Sequence, residues 1–351
     1  MKDAVEGVPA PSAKLAGSLL FAQLPTSPRV SRSDSRPEGQ TGPPPTARAT
    51  PALFCNSQNG SVAYSGQRAS VIDFSSPGKS AAARDQTSAV HSSGGDVLRV
   101  SVLGSGTSMG VPTPGCHCAV CKSSDPRDNR TRPSILLSYS GHNVLVDTTP
   151  DFRFQALRAN LEHLDPVLFT HSHADHIMGL DDIRPYNLKQ RCAIPIFASG
   201  DTLAVLRRTF AYVFEEAPPG STVPLVELRE ITGPFDIFGL RIQPVPALHG
   251  PSPVLGFRAG AFAYLTDFSS VPPESKLLLA GLDHFVLDAL RYTPHPMHSN
   301  VEQSMALVDE LRPRQAWFTH ICHDLGHQAA NDRLPENVRL AYDGLTLEVD
   351  L

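Results

Sequence analysis

The chain has little with which to enter a membrane or to grip a long polyanion. No stretch of its 351 residues approaches the roughly 18–20 consecutive apolar residues of a bilayer span. The apolar segment at 15–22 is short enough to resemble a signal-peptide core. A long leader carrying Asp3 and Glu6 precedes it, which argues against a cleaved signal. Lysine and arginine form no long run, and the formal net charge is -5. That charge is uneven: residues 1–96 carry nine Lys/Arg against seven Asp/Glu, and 97–351 carry 21 against 28. A mildly acidic working part argues against a broad nucleic-acid footprint, and no membrane partner is expected. Cysteine is scarce as well. Three of the six crowd into 116–121, too close for a disulfide framework, which fits a reducing compartment and a cytoplasmic location.

Residues 1–96 also lack any sustained period of two or 3.6, and they hold ten prolines, Pro43, Pro44 and Pro45 among them. Such a segment buries too little apolar surface to offset its conformational entropy. It reads as a disordered low-complexity extension, or as an upstream translation outside the working protein; a partner-binding tail is a further option. A weak strand signal lies at 61–64. From Val97 the pattern changes, and 97–351 reads as one domain without internal repeats. Apolar runs predict strands at 97–103, 134–139, 143–146, 194–198, 223–228, 235–238, 240–245, 254–258, 261–266, 285–288, 316–319 and 345–349. Helices are predicted at 151–160 with Asp151 as cap, at 201–214 and at 301–311. Two rows of strands with helices outside them predict an α/β fold of four αββα layers. The glycine-rich turn at 104–110 lacks the lysine of a P-loop. It reads as a strand-end turn whose backbone N–H groups could face an anion.

Metal-binding side chains, by contrast, are concentrated. His171, His173, Asp175 and His176 fall within six residues, just after the apolar run Val167-Leu168-Phe169. That run reads as a buried strand, with the donors at its C-terminal edge. Donors packed so tightly cost stability unless a cation holds them; imidazole suits zinc, and the carboxylate suits a harder second metal. Asp147 ends the strand at 143–146, where a buried acid would fix an imidazole tautomer. His249, Asp267 and His320 also follow predicted strands. Together these residues would supply two divalent metals: His171, His173 and His249 on one, Asp175, His176 and His320 on the other, with Asp267 between them. Such sites accept both Zn²⁺ and Mn²⁺. Cys116, Cys118 and Cys121 have the spacing of a separate metal site.

These residues carry a resemblance. The stretch 170–179, followed in order by His249, Tyr264-Leu265-Thr266-Asp267 and Thr319-His320, resembles the metallo-β-lactamase superfamily of binuclear hydrolases. The resemblance implies the αββα sandwich and a place for Asp147 behind the metal ligands. Within the superfamily the chain is similar to the cyclic-phosphate phosphodiesterases of bacterial phosphonate breakdown. The turn at 104–108 with Gly110-Val111-Pro112, the three cysteines with His323, and His298-Ser299-Asn300 carry that similarity, which covers about 97–351. It implies that Cys116, Cys118, Cys121 and His323 hold a structural Zn²⁺, and that His298 is the acid/base catalyst, working with Asp175. Tetrahedral Cys₃His is an ordinary closed zinc set.

The expected function is therefore hydrolysis of a small cyclic phosphate ester, with 5-phosphoribosyl 1,2-cyclic phosphate as the specific substrate the resemblance supplies. A hydroxide held between two metals would attack phosphorus, and His298 would protonate the leaving alkoxide. Arg184 is a candidate phosphate ligand, with a surface ion pair as the alternative. A homodimer is compatible with the sequence. Cys322, between His320 and His323, would point away from both by strand alternation, and His295 and His327 read as surface residues. Three other readings compete. A tRNA-processing nuclease would need a basic arm, and 177–300 holds none; a thioester or lactone hydrolase would not need an acid as good as His298; a binding module would have lost ligands.

Overall fold

Alternation of apolar side chains along each strand decides which surface it buries, and here both surfaces of two sheets are covered. The computed structural model describes residues 97–216 and 220–351. The expected extension at 1–96, with its weak strand at 61–64, lies outside the described residues. One sheet contains β1 (Val97–Gly104), β2 (Ser134–Tyr139), β3 (His142–Val146), β4 (Val167–Leu168), β5 (Ile194–Ala198) and β6 (Val226–Glu230). The other contains β7 (Phe235–Ile237), β8 (Leu240–His249), β9 (Ser252–Ala259), β10 (Phe262–Leu265), β11 (His284–Asp288), β12 (Gln315–Thr319) and β13 (Val338–Leu340). The chain then returns as β14 (Thr346–Asp350) to pair antiparallel with β1. The orders are β14-β1-β2-β3-β4-β5-β6 and β13-β12-β11-β10-β9-β8-β7.

Between the sheets, Leu98, Val100 and Val102 of β1 and Ile135 and Leu137 of β2 share one core cluster with Ile242, Phe257 and Tyr264 of the second sheet. Each such side chain contributes about 1.5–3 kcal/mol by leaving water. The outer face of the first sheet, with Leu136, Leu145 and Val167, is covered by α1 (Phe152–Arg158), α2 (Ala174–Ile177), α3 (Arg184–Gln190), α4 (Gly200–Thr209) and α5 (Ala211–Phe214). Beside the second sheet run α6 (Pro273–Leu277), α7 (Val301–Leu311) and α8 (His327–Asn331), and Leu307, Val308 and Ala330 pack against Leu287 and Phe318. The result is the four-layer αββα sandwich expected from the strand pattern.

Pairing direction gathers the site. The run β3-β4-β5-β6 is parallel, and so is β10-β11-β12-β13, so each half-sheet collects its C-terminal strand ends on one edge. Ligands assemble at such edges.

Local competition explains where the expectations fail. The helix expected at 201–214 is interrupted at Phe210, whose φ of -112° and ψ of 44° leave the helical region. Asp151 precedes α1, but its carboxylate makes no cap; it accepts from the Arg132 backbone N–H and guanidinium instead. α7 begins where expected because Asn300 and Gln303 form a reciprocal capping box.

Candidate metal centre

The segment after β4 runs extended through His171 and His173 and then winds into the single turn of α2, bringing in Asp175 and His176. His249 is the last residue of β8, Asp267 lies two residues beyond β10, and His320 follows β12. Two sets of ligand atoms result, each gathered within 4.8 Å: His171, His173, His249 and Asp267, and Asp175, His176, Asp267 and His320. Asp267 belongs to both through different oxygens. Its Oδ2 lies 3.8 Å from His171 Nε2, while its Oδ1 lies 3.4 Å from His176 Nε2 and 3.3 Å from His320 Nε2. Asp175 Oδ2 is 3.4 Å from His176 Nε2 and 3.6 Å from His320 Nε2.

The far nitrogens of two rings are tied to the protein, which aims the near ones. His176 Nδ1 donates to Asp147 Oδ2 at 2.8 Å, and the Thr170 backbone N–H and hydroxyl donate to the same carboxylate at 2.9 Å each. His249 Nδ1 donates to the Met297 carbonyl at 2.6 Å. Each ring keeps Nε2 for the centre. Asp147, Asp267 and His320 have left-handed backbones, with φ of 66°, 54° and 56°. Non-glycine residues held there cost energy, and the surrounding structure must over-determine them.

A direct test of fit is whether these atoms have any other use. His171 Nε2, His176 Nε2, His320 Nε2 and Asp175 Oδ2 are buried and have no hydrogen-bond partner. Orphaned polar atoms in the interior are expensive, and divalent cations on imidazole and carboxylate donors would satisfy all four. Protons alone satisfy them unequally: burial opposes charge on His176, yet Asp267, Asp175 and Asp147 raise it well above its ordinary range. Burial drives His171 well below its ordinary range, aided by repulsion from His176, and pulls His249 down to about 4. Burial opposes charge on His320 too, yet Asp267 and Asp175 outweigh it and raise that ring to about 9.

The ring of His298 lies 4.5 Å from that of His249 and 4.6 Å from that of His320. Its Nδ1 is 2.9 Å from Oδ2 of Asp288, a fully buried carboxylate at the end of β11. Sequence reading missed Asp288. An aspartate closing an apolar strand is the signal that marks Asp147, and Asp288 at the end of β11 carries it too.

The cysteine cluster is separate. Cys116, Cys118 and Cys121 present Sγ atoms 3.2, 3.7 and 3.3 Å from His323 Nδ1. Cys322 is not in that set: its buried Sγ accepts the Asp324 N–H, and burial pushes the thiol up to about 11. A second fastener holds the loop that carries both His320 and His323. The fully buried Arg130 donates to the carbonyls of Cys322 and Leu325 at 3.1 and 2.7 Å and to Asp128 at 2.7 Å; Asp128 in turn accepts the His327 N–H.

Other expectations need correction. The glycine-rich turn at 104–110 does not offer an anion cradle, because the N–H groups of Ser105, Gly106, Thr107 and Gly110 bond Asp343, Thr131, Ile321 and Thr107 respectively. A Cβ on Gly106 would meet the Arg130 carbonyl oxygen at 2.8 Å, so this turn buttresses the His320 loop only with glycine there. Arg184 donates to the Thr222 carbonyl and pairs with Asp181 at 3.3 Å, which is the ion-pair alternative. His327 is buried against Tyr342 rather than on the surface. His295 is half-buried, with its ring 5.2 Å from that of His298.

Several known proteins resemble this chain. A family model described as a beta-lactamase superfamily domain matches residues 142–321. An octanoyltransferase from Porphyromonas gingivalis is 38% identical over 259 residues, which cover 72% of this chain and 52% of that protein. The chain thus spans about half the length of that curated relative. Among solved structures, a diphosphatase from the PhnP family is 47% identical, with a TM-score of 0.69 over 73% of this chain and 98% of its own. Zn²⁺-bound PqqB from Methylobacterium extorquens, 22% identical with a TM-score of 0.56 over 72% of this chain and 100% of its own, shares the fold. The family match runs from β3 to just beyond His320 and takes in every histidine and aspartate of the two ligand sets, so the chain belongs to the metallo-β-lactamase superfamily of hydrolases.

Proposed function

We propose that the chain is a binuclear metal-dependent phosphodiesterase acting on a small phosphate ester. One observation carries the reading: a half-buried His298, paired with the fully buried Asp288, stands beside two ligand sets that share the two oxygens of Asp267. His171, His173, His249 and Asp267 Oδ2 would hold one divalent cation, and Asp175, His176, His320 and Asp267 Oδ1 the other. When bound, such a pair of cations supplies Lewis-acid stabilisation of phosphoryl oxygens and acidifies water. The chain's own residues do the rest. Asp288 accepts the Nδ1 proton of His298 and orients the ring. Nε2 is then the ring atom turned to the ester, and the doubly protonated ring would pass its Nε2 proton to the leaving alkoxide when the leaving group is poor. Cys116, Cys118, Cys121 and His323 would hold a structural Zn²⁺ on the loop that presents His320.

The diphosphatase, similar over nearly its whole length, supports phosphorus chemistry, and a cyclic ribose phosphate remains the specific candidate. The acid excess of 97–351 weighs against a nuclease reading. The test is turnover of the metal-loaded chain on cyclic ribose phosphates, linear diesters, thioesters and RNA, comparing Mn²⁺ with Zn²⁺. His298→Ala should cut kcat on alkyl esters by about 10²–10⁴-fold and on p-nitrophenyl esters far less. An equal loss on both removes the general-acid role.

A further inference from the structure

The loop that carries His298 is closed at its base. The Val301 N–H donates to the Arg291 carbonyl and the Asn300 side-chain amide to that of Tyr292, each at 3.0 Å. At this base a cavity of about 170 Å³ lies between α7, α8 and β13. Val301 and Met305 of α7, Leu334 and Leu340 line it together with Tyr292, and Arg333 is the one charged member of the lining. None of these residues belongs to either ligand set or to the Asp288 pair. Leu340 is buried, whereas Tyr292 and Arg333 are exposed, so the cavity has an apolar floor and a mouth at those two side chains.

At the mouth, the Arg333 guanidinium carbon stands 5.9 Å from the centre of the Tyr292 ring, a cation–π contact. Among the described residues no carboxylate pairs with Arg333. A pocket with an apolar body and one polar group at its edge takes a ligand of matching polarity. An apolar cavity of about 150 Å³ holds a benzene ring, so this one has room for one ring or a chain of about six carbons. A lone guanidinium matches the two oxygens of a carboxylate; a phosphate dianion would find no second cation in the lining. We propose that this cavity is a binding site for a small apolar carboxylate, with the ring or chain inside and the carboxylate on Arg333. The site lies apart from the hydrolytic residues and does not depend on the phosphodiesterase reading.

Calorimetric titration of the full, metal-loaded chain with phenylacetate and with benzyl alcohol tests it. Acetate, which lacks the ring, controls for a carboxylate held by cations at the His/Asp centre. Phenylacetate should bind with a Kd of about 1 mM or tighter, and benzyl alcohol about tenfold more weakly. Arg333→Gln should weaken phenylacetate about tenfold and leave benzyl alcohol within about twofold. Met305→Trp, which fills the cavity, should weaken both by more than about tenfold. The ligand fits only while the base of the loop is intact, so phenylacetate at about ten times its Kd should slow hydrogen exchange of the Val301 amide about tenfold. Absence of phenylacetate binding, equal affinity for phenylacetate and benzyl alcohol, or binding that neither variant alters overturns the inference. So does a Val301 exchange rate that phenylacetate leaves unchanged.

Discussion

The two groups of candidate metal ligands are held in opposite ways. The His/Asp centre takes its donors from the ends of β4, β8, β10 and β12, and five of its seven side chains are buried to within 5% or less of full cover. Two of its rings are pinned through their second nitrogens by Asp147 and Met297. The cysteine group sits on an irregular loop at 116–121, and all four of its members are only half-buried. Backbone N–H groups of Thr113 and Cys121 reach the sulfurs of Cys121 and Cys118, but no strand positions the loop. The first group is organised by the fold, and an ion enters a site already shaped. In the second, an ion would itself supply most of the order, as in small zinc modules.

That contrast breaks most sharply at Asp267. Asp267→Ala removes a donor from both ligand sets at once. Loss of a single electrostatic donor costs about 10²–10³-fold in rate, so activity should fall by more than about 10³-fold. Metal analysis of the purified variant should show the cysteine-bound ion retained and the other two lost. Retention of both ions at the His/Asp centre would show that Asp267 is no bridge.

Much of this was legible before any coordinates. Strand-end donors announce themselves because a polar residue closing an apolar run has few structural reasons to be there, and the structure brings His171, His249 and His320 together from such ends. The layer order followed from strands buried on both faces. Short or contested elements were not legible. β13 spans three residues with Arg339 in the middle, too few for a period. Asp151 looks like a cap in sequence, and only the fold brings Arg132 to compete for it. Arg184 was weighed as a phosphate ligand without sight of the Thr222 carbonyl that it bonds. His295 and His327 read as surface residues because their partners, Met297 and Tyr342, are supplied by turns and tertiary packing.

A smaller effect separates the two fasteners of the His320 loop. Arg130→Met leaves Asp128 buried without its guanidinium and strips donors from two carbonyls. Breaking a buried pair this way costs about 3–5 kcal/mol, on the order of 10 °C in Tm for a domain of this size. Cys118→Ser should cost about half as much in Tm, because the cysteine loop adds order at the surface rather than filling the interior. Its kcat per folded molecule should stay within about twofold of wild type. Differential scanning calorimetry with active-site titration measures both. A larger loss in Cys118→Ser than in Arg130→Met would make the ion, not the ion pair, the main fastener.

The smallest expected effect is a pH dependence at the same loop. Burial, with Arg127 and Arg130 nearby, pulls His327 down to about 4, below the ordinary imidazole value near 6.5. Between those values the unfolded chain binds a proton that the folded chain refuses. Stability from the neutral ring is therefore complete above about pH 6.5 and is lost progressively as the pH falls through about 4. His327→Gln has no such proton to refuse. Other titrating groups are common to both proteins and cancel in the difference of their Tm values. That difference should shift in favour of the variant by a few degrees between pH 7 and pH 4.5, in the presence of excess Zn²⁺ at each pH. A difference that stays flat would place the charge of His327 in water, and with it the claim that the loop beyond the cysteine site is held by a dry interior.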